Sequence, residues 1–218
     1  GNYLPGAGSV NSLMVCVTGI ISVCSSQPHY SSMSSPIATT STQPEPAQTE
    51  AAAIIIDTDV HNYPASIEDF FPFLSSRWKA YIRQSGMPLP GVSLYPKVYE
   101  RAARRDAWTP DGNAPGTDPE FAKEQLLDTW NIKTAILNPL VAVPAVHNLD
   151  LANALMRATN DWMAAVWLDA DARWRGSIVI NVNDPDASAA EIRRVAADSR
   201  FVQVLLLVRS HAPYGRRE

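Results

Sequence analysis

Ile54-Ile-Ile-Asp-Thr-Asp-Val-His61 is the stretch from which the rest of the chain can be read. Three β-branched apolar residues run straight into Asp57, Asp59 and His61. Such a run predicts a buried strand that ends in ligand-type side chains. Successive residues of a strand point to opposite faces, so Asp57, Asp59 and His61 are expected on one face. A carboxylate and an imidazole two residues apart can converge on one cation. Zinc, manganese and iron(II) all accept that mixed oxygen and nitrogen set. Two or three ligands do not close a site, so other strands would have to supply the rest. The competing reading is a strand entering a polar loop, with His61 solvated.

Outward from that strand, the pattern repeats. Ser66 reads as a helix N-cap with Asp69 three residues on, and Pro72 interrupts the run that follows. Phe70, Leu74, Trp78 and Ile82 recur at helical spacing and predict a core face. Residues 85–117 are rich in Pro and Gly and read as a long loop, a length that suits an active-site cover. Asp118-Pro119 and Asp184-Pro185 each place an N-cap before a proline at the first helical position. A longer helix is expected over 149–172. Strands are expected at 52–58, 133–138, 176–182 and 201–208. Strand and helix therefore alternate, which predicts an α/β fold with a parallel sheet. Four such strands make half of a (β/α)₈ barrel or most of a small doubly wound sheet. Asn138, Asn181, Asn183 and Arg209 fall at strand C-terminal ends, the edge where both architectures bind ligands. Gln203 and Arg209 share parity on the fourth strand, as expected for a polar row facing a barrel axis. No glycine-rich phosphate loop follows the first strand, which counts against a dinucleotide-binding domain.

Composition sets the outer limits. The chain has 218 residues, 46% hydrophobic and 18% charged, enough for one domain with a real core. The net charge is −4, and its arginine pairs are isolated, so nucleic-acid binding is not expected. Residues 1–50 contain no Lys or Arg, and from Ser25 they are dominated by Ser, Thr, Pro, Gln and Ala. They read as a disordered low-complexity tail before a domain at 51–218. Within the tail, the apolar run Leu13 to Cys24 is too short to span a bilayer. It lacks the basic flank of a secretory signal, so no membrane role is expected. Cys16 and Cys24 form no disulfide framework, and a cytoplasmic, reducing setting is the default. Gly91-Val-Ser93-Leu-Tyr95 lacks the second glycine of a serine-hydrolase elbow.

Several stretches together carry a resemblance. They are Ile55-Ile-Asp-Thr-Asp-Val-His61, Ala152-Asn-Ala-Leu-Met-Arg-Ala-Thr-Asn-Asp-Trp162, Arg175-Gly-Ser-Ile-Val-Ile180, Ala189-Ala-Glu-Ile-Arg-Arg194 and Phe201-Val-Gln-Val-Leu-Leu206. In this order they resemble the amidohydrolase-related (amidohydrolase 2) family. That family includes aminocarboxymuconate-semialdehyde decarboxylase, γ-resorcylate decarboxylase and 2-pyrone-4,6-dicarboxylate lactonase. The resemblance covers about residues 52–217. It implies a TIM-type barrel with one divalent metal, zinc or manganese, at the C-terminal face. Many members open with His-x-His at the end of the first strand. Here the aligned pair is Asp59-x-His61, so Asp59 and His61 are the implied metal ligands. Family members take a further His near the fifth strand and an Asp near the eighth, and Glu218 follows just after the fourth. The implied chain is thus the N-terminal half of a metal-dependent barrel.

Function follows as an expectation. The chain reads as a metal-dependent hydrolase or non-oxidative decarboxylase acting on a small carboxylated or cyclic substrate, and inactive as this fragment alone. Arg209 could anchor a substrate carboxylate, and His211 could orient substrate or move a proton, each against a competing reading as a solvated loop residue. Four strands leave two open sheet edges, with interior residues such as Val179 and Leu205 short of partners. Pairing with a second copy, as a homo-oligomer, is one way to cover those edges. The alternatives are a fragment without catalysis and a small α/β ligand-binding domain.

Overall fold

In the computed structural model, which describes residues 14–17, 54–91 and 104–207, the apolar runs stand as five parallel strands among the described residues. These are β1 (Met14–Val17), β2 (Ile55–Val60), β3 (Ile132–Leu137), β4 (Trp174–Val179) and β5 (Phe201–Leu206). Their order across the sheet is β1-β5-β4-β3-β2. From β2 to β5 each strand lies beside the next in sequence, always parallel. Parallel neighbours need crossovers, and helices supply them. Between β2 and β3 come a 3₁₀ helix (Ile67–Phe73), α1 (Ser76–Ser85) and α2 (Pro119–Ala122). Helix α3 (Leu149–Trp162) joins β3 to β4, and α4 (Pro185–Val195) joins β4 to β5. Both α2 and α3 run on into wider π-type turns, Lys123–Asp128 and Met163–Leu168. The architecture is α/β, the N-terminal half of a TIM-type (β/α)₈ barrel.

One strand lies where a tail was expected. Met14–Val17 pairs in parallel with β5, Met14 opposite Gln203 and Val17 opposite Leu206. Four strands alone would leave that edge of β5 with unpaired N–H and C=O groups. The sequence Met-Val-Cys-Val has the apolar, β-branched character that suits a strand. The rest of residues 1–50 lies outside the described residues. Among the described residues the outer edges of β1 and β2 have no strand beside them, and at β2 Ile54, Ile55 and Ile56 are exposed.

The helices start where their caps dictate. Ser66 closes a capping box with Asp69, and Pro72 confines that segment to 3₁₀ geometry before the chain turns at Leu74. The Asp118 carboxylate accepts from the Glu120 and Phe121 amides at 2.9 and 3.1 Å, ahead of Pro119. Asp184 does the same for the Ala187 amide at 3.0 Å, ahead of Pro185. Asn148 caps α3 through the Leu151 amide at 3.0 Å.

The core lies between the sheet and these helices. Phe70, Trp162, Trp167 and Trp174 meet edge-on in series, with ring centroids 5.8, 6.4 and 5.8 Å apart. Val179 and Leu205 are not left bare: they are 3% and 5% exposed and belong to the same core cluster, with β1 flanking β5. Buried Asn160 of α3 binds the last residue of β4 twice. Its Nδ2 donates to the Val179 carbonyl at 3.0 Å and its Oδ1 accepts from the Val179 amide at 2.8 Å. The same Nδ2 donates to buried Glu191 of α4 at 2.9 Å. Burial alone would raise the Glu191 pKa. Hydrogen bonds from Arg194 and Asn160, with the charges of Arg194 and Arg157, outweigh it and leave that carboxyl below its usual range. One amide therefore ties two helices to the sheet.

At the opposite end of the sheet a device repeats. Asp171-Ala-Arg173 precedes β4 and Asp198-Ser-Arg200 precedes β5. In each, the Asp accepts from the Arg backbone amide, at 2.8 and 3.0 Å. Each Arg also reaches an Asp of the preceding unit, Asp128 at 2.7 Å and Asp169 at 2.6 Å. Each Arg carbonyl accepts from the neighbouring strand, from Ala135 at 3.1 Å and Gly176 at 2.9 Å. The hydrogen bond from its Arg holds each carboxyl, Asp171 and Asp198, below the usual carboxylate range.

Two outcomes are expected. Asn160→Ala leaves two Val179 backbone groups without these partners and takes one hydrogen bond from Glu191, which keeps Arg194, and should cost about 2–4 kcal/mol. For a domain of this size that lowers the melting temperature by roughly 5–15 °C, and a shift under 2 °C in thermal unfolding would contradict it. The second concerns acid. Carboxyls with folded pKa values below the unfolded value of about 3.9 stabilise the fold above that value and stop doing so as pH falls through the folded one. The melting-temperature gap between wild type and an Asp171→Asn/Asp198→Asn variant should be full near pH 6 and shrink below about pH 5. A gap independent of pH down to pH 2.5 would rule this out.

Candidate functional site

Asp59 and His61 meet at the C-terminal end of β2, but not by simple alternation. From Asp57 to Val60 the strand advances three residues while β3 advances two, from Ala135 to Leu137. The extra residue makes a bulge at Thr58-Asp59, the device by which strands re-aim side chains beside active sites. Asp57 turns to its own backbone and accepts from the Asp59 amide at 3.1 Å. It does not join the other two. Asp59 Oδ1 lies 3.2 Å from His61 Nε2, with the side chains 58% and 46% exposed.

The backbone on either side of His61 is held at three points. The Val60 carbonyl accepts from the Asn138 amide at 2.8 Å, and the Asn62 carbonyl from the Leu140 amide at 3.2 Å. The Tyr63 amide donates to the Gly116 carbonyl at 2.7 Å. Gly116 thus brings the long loop expected at 85–117 down onto the strand end. Its φ is +75°, and a Cβ there would sit 2.7 Å from the His61 carbonyl oxygen. The loop's residues 92–103 lie outside the described residues. Asn62 is buried on the other face, its Nδ2 3.6 Å from Met163 Sδ.

A row of polar side chains crosses the sheet from Asp59. Asn138, just after β3, donates from Nδ2 to Asp59 Oδ1 at 2.7 Å and to the Thr58 carbonyl at 3.3 Å. Asn138 Oδ1 accepts from Ser177 Oγ of β4 at 2.5 Å and from Gln203 Nε2 of β5 at 3.1 Å. Gln203 Nε2 also donates to Ser177 Oγ at 2.8 Å. Asn138, Ser177 and Gln203 are all buried. Ser177 was not singled out from sequence. The only signal for it was parity, since it stands opposite Gln203 in register. Asn181 and Asn183 turn away from this row: Asn181 Nδ2 donates to Asn153 of α3 at 2.8 Å, and Asn183 Nδ2 to the Pro144 carbonyl at 2.8 Å. Arg209 and His211 lie outside the described residues.

The donor pair fits a divalent ion. Two ligand atoms each about 2.1 Å from a cation, at octahedral or tetrahedral angles, stand roughly 3.0–3.4 Å apart. The 3.2 Å between Asp59 Oδ1 and His61 Nε2 falls in that window. Among the described residues no group of three or more His, Cys, Asp or Glu could hold a metal, so these two form a partial set. No helix among the described residues is long and apolar enough to cross a membrane.

Known proteins place the chain. The sequence profile of the amidohydrolase family matches residues 56–218. Gamma-resorcylate decarboxylase of Rhodococcus jostii (strain RHA1) is 33% identical over 90 residues, which cover 41% of this chain and 27% of that enzyme. Two crystal structures of 5-carboxyvanillate decarboxylase from Novosphingobium aromaticivorans DSM 12444 share the fold, with TM-scores of 0.52 and 0.53 at 21% and 22% identity. Both contain manganese and a hydroxy-methoxy-nitrobenzoic acid. Each match covers 77% of this chain and 45% of theirs, so the chain spans less than half the length of these relatives.

The Gly116 clamp can be tested against an internal control. Gly112 also has a positive φ, +81°, but nothing lies within 4 Å of its would-be Cβ. Gly112→Ala should cost about 1 kcal/mol of backbone strain. Gly116→Ala should cost about 1–2 kcal/mol more, and shift the His61 ring signals in NMR. Equal costs, with unmoved His61 signals, would show that the close approach does not constrain the strand end.

Proposed function

This chain belongs to the amidohydrolase family, and on that premise we propose that it carries the first-strand ligands of a metal-dependent, non-oxidative decarboxylase acting on a small carboxylated aromatic substrate. The carrying observation is the convergence of Asp59 Oδ1 and His61 Nε2 to 3.2 Å at the C-terminal end of a barrel strand. Barrel enzymes place their chemistry at that edge. The relatives named above are decarboxylases of aromatic acids, and manganese accompanies the two solved ones. Manganese or zinc is accordingly the proposed ion.

Asp59 and His61 would hold the ion, as a partial ligand set among the described residues. A divalent ion at this place supplies a Lewis acid for a substrate oxygen. Arg209 follows β5, and its guanidinium suits a bidentate contact with a substrate carboxylate. His211, two residues on, can orient the substrate or deliver the proton that replaces carbon dioxide on the ring carbon. In that exchange the carbon–carboxylate bond breaks, its electron pair stays on the ring carbon, and a proton takes the vacated position.

Metal content decides the first part of this reading. Asp59→Ala and His61→Ala should each lower bound manganese or zinc after dialysis by at least tenfold in affinity, since each removes one of few ligands. Unchanged stoichiometry and affinity in both variants would end the proposal. Carbon dioxide release from an aromatic acid of the resorcylate or carboxyvanillate type, measured on the same preparations, addresses the second part.

A further inference from the structure

The hydrogen bonds that cross the sheet have a direction. Gln203 Nε2 donates toward Ser177 Oγ and Asn138 Oδ1 at 2.8 and 3.1 Å, and because those two oxygens are only 2.5 Å apart they share one N–H. The single Ser177 hydroxyl proton goes to Asn138 Oδ1. Both Asn138 Nδ2 protons go to the β2 bulge, to the Thr58 carbonyl and to Asp59 Oδ1. The donor protons of Asn138 and Ser177 are thus all spent along the row, and one N–H of Gln203 closes it. An amide can ordinarily turn over and exchange its oxygen and nitrogen. Here a flipped Asn138 would face the Gln203 amide donor with its NH₂, and the Thr58 carbonyl and Asp59 carboxylate with its oxygen. The Ser177 hydroxyl can rotate to accept, but the other three hydrogen bonds would become repulsive contacts among largely buried groups, where unmet polar groups are most costly.

We infer that Asn138, locked in one amide orientation by Ser177 and Gln203, is a positioning residue that fixes the rotation of the Asp59 carboxylate and so presents it, together with His61, to a divalent cation. The inference rests on the metal reading above. Asp59 needs such help because its side chain is more than half exposed and sits on a bulge at the open edge of the sheet. Solvent there would let the carboxylate turn freely. Asn138 occupies one of the carboxylate's four acceptor positions and leaves the others for ligand contacts. Its own position is set from the far side by strands two and three removed from the metal. Outer partners of this kind orient metal ligands, and their loss typically weakens metal affinity 10- to 100-fold.

The test is manganese binding by the full chain, read by electron paramagnetic resonance of free and bound ion, with thermal unfolding in parallel. Asn138→Leu removes the contact to Asp59. Gln203→Glu touches neither ligand, but it replaces the donor to Asn138 and Ser177 with an acceptor and so unlocks the amide. Both should weaken manganese binding by about 10- to 100-fold and change the spectrum of the bound ion. Asn138→Asp should weaken it at neutral pH as well, because a second carboxylate faces Asp59 without a donor. Melting temperatures that fall while affinity and spectrum stay those of wild type would make the row purely structural and overturn the inference. Asp59→Ala and His61→Ala separate the two readings. If they leave manganese binding unchanged, the metal site itself is wrong. If they weaken it and the Asn138 and Gln203 variants do not, only the positioning role is wrong. Absence of manganese binding by the wild-type chain overturns both.

Discussion

Strand β2 has one described neighbour, β3, and its other edge is open. Whatever holds Asp59 and His61 in place must therefore come through β3 or from loops that settle on the strand end. Both sources are used. Asn138, where β3 ends, contributes its amide N–H to the Val60 carbonyl and its side chain to Asp59 and Thr58. Gly116 contributes a carbonyl to Tyr63 from the loop side. A strand with three exposed isoleucines would otherwise be the least anchored part of the sheet.

The stability of β3 rests in turn on the layers behind it. Ala135 and Leu137 are fully buried against the helices, while Thr134 and Ile136, of opposite parity, are only half-buried. The sheet is thus sealed on its helix side by the tryptophan series and by Asn160, which joins β4 to α3 and α4. At the other end of the strands, the repeated Asp-x-Arg turns link each unit to the one before. Their geometry recurs because the same crossover recurs: a helix ends, the chain reverses, and the next parallel strand must start beside the last. Stability and chemistry are divided between the two ends of the sheet, as barrel folds generally arrange them.

This division places the exposed Asp59–His61 pair on a buried polar support. Asp59 and His61 face solvent, where a metal and a substrate can reach them. Asn138, Ser177 and Gln203 lie beneath in a low-dielectric interior, where hydrogen bonds hold their geometry well. The cost of burying three polar side chains is offset by the hydrogen bonds that link them to one another and to the bulge. A single apolar replacement would leave its neighbours unmet. That asymmetry is what makes the row a positioning device rather than a neutral filling of the interior.

Much of the fold was legible in sequence because it is encoded locally. Asp118-Pro119, Asp184-Pro185 and the Ser66 and Asp69 pair start helices through contacts within three residues, and each does so here. The apolar runs became strands within a few residues of their expected limits; β4 and β5 are buried on both faces, which leaves a continuous apolar signature, whereas β2, expected to be buried, exposes its isoleucines because it lies at an edge of the sheet. Spacing put Asp59 and His61 on one face together with Asp57, the resemblance singled out the pair, and the two side chains do meet, at 3.2 Å. The reason they meet was not legible. Alternation would have brought Asp57 along, and the bulge that excludes it depends on the register with β3. Ser177 and Gln203 reach Asn138 across three strands, and Gly116 meets His61 from 55 residues away; such contacts exist only once the sheet has assembled. The strand at Met14–Val17 depends likewise on an open edge of β5 that composition cannot reveal. Sequence by itself determined most of the strands and helices from Ile54 onward and where oxygen and nitrogen donors stand at their ends, because those properties belong to short stretches. Tertiary structure alone decided which carboxylate faces the imidazole and what holds it there, because those depend on register, and register is settled between strands.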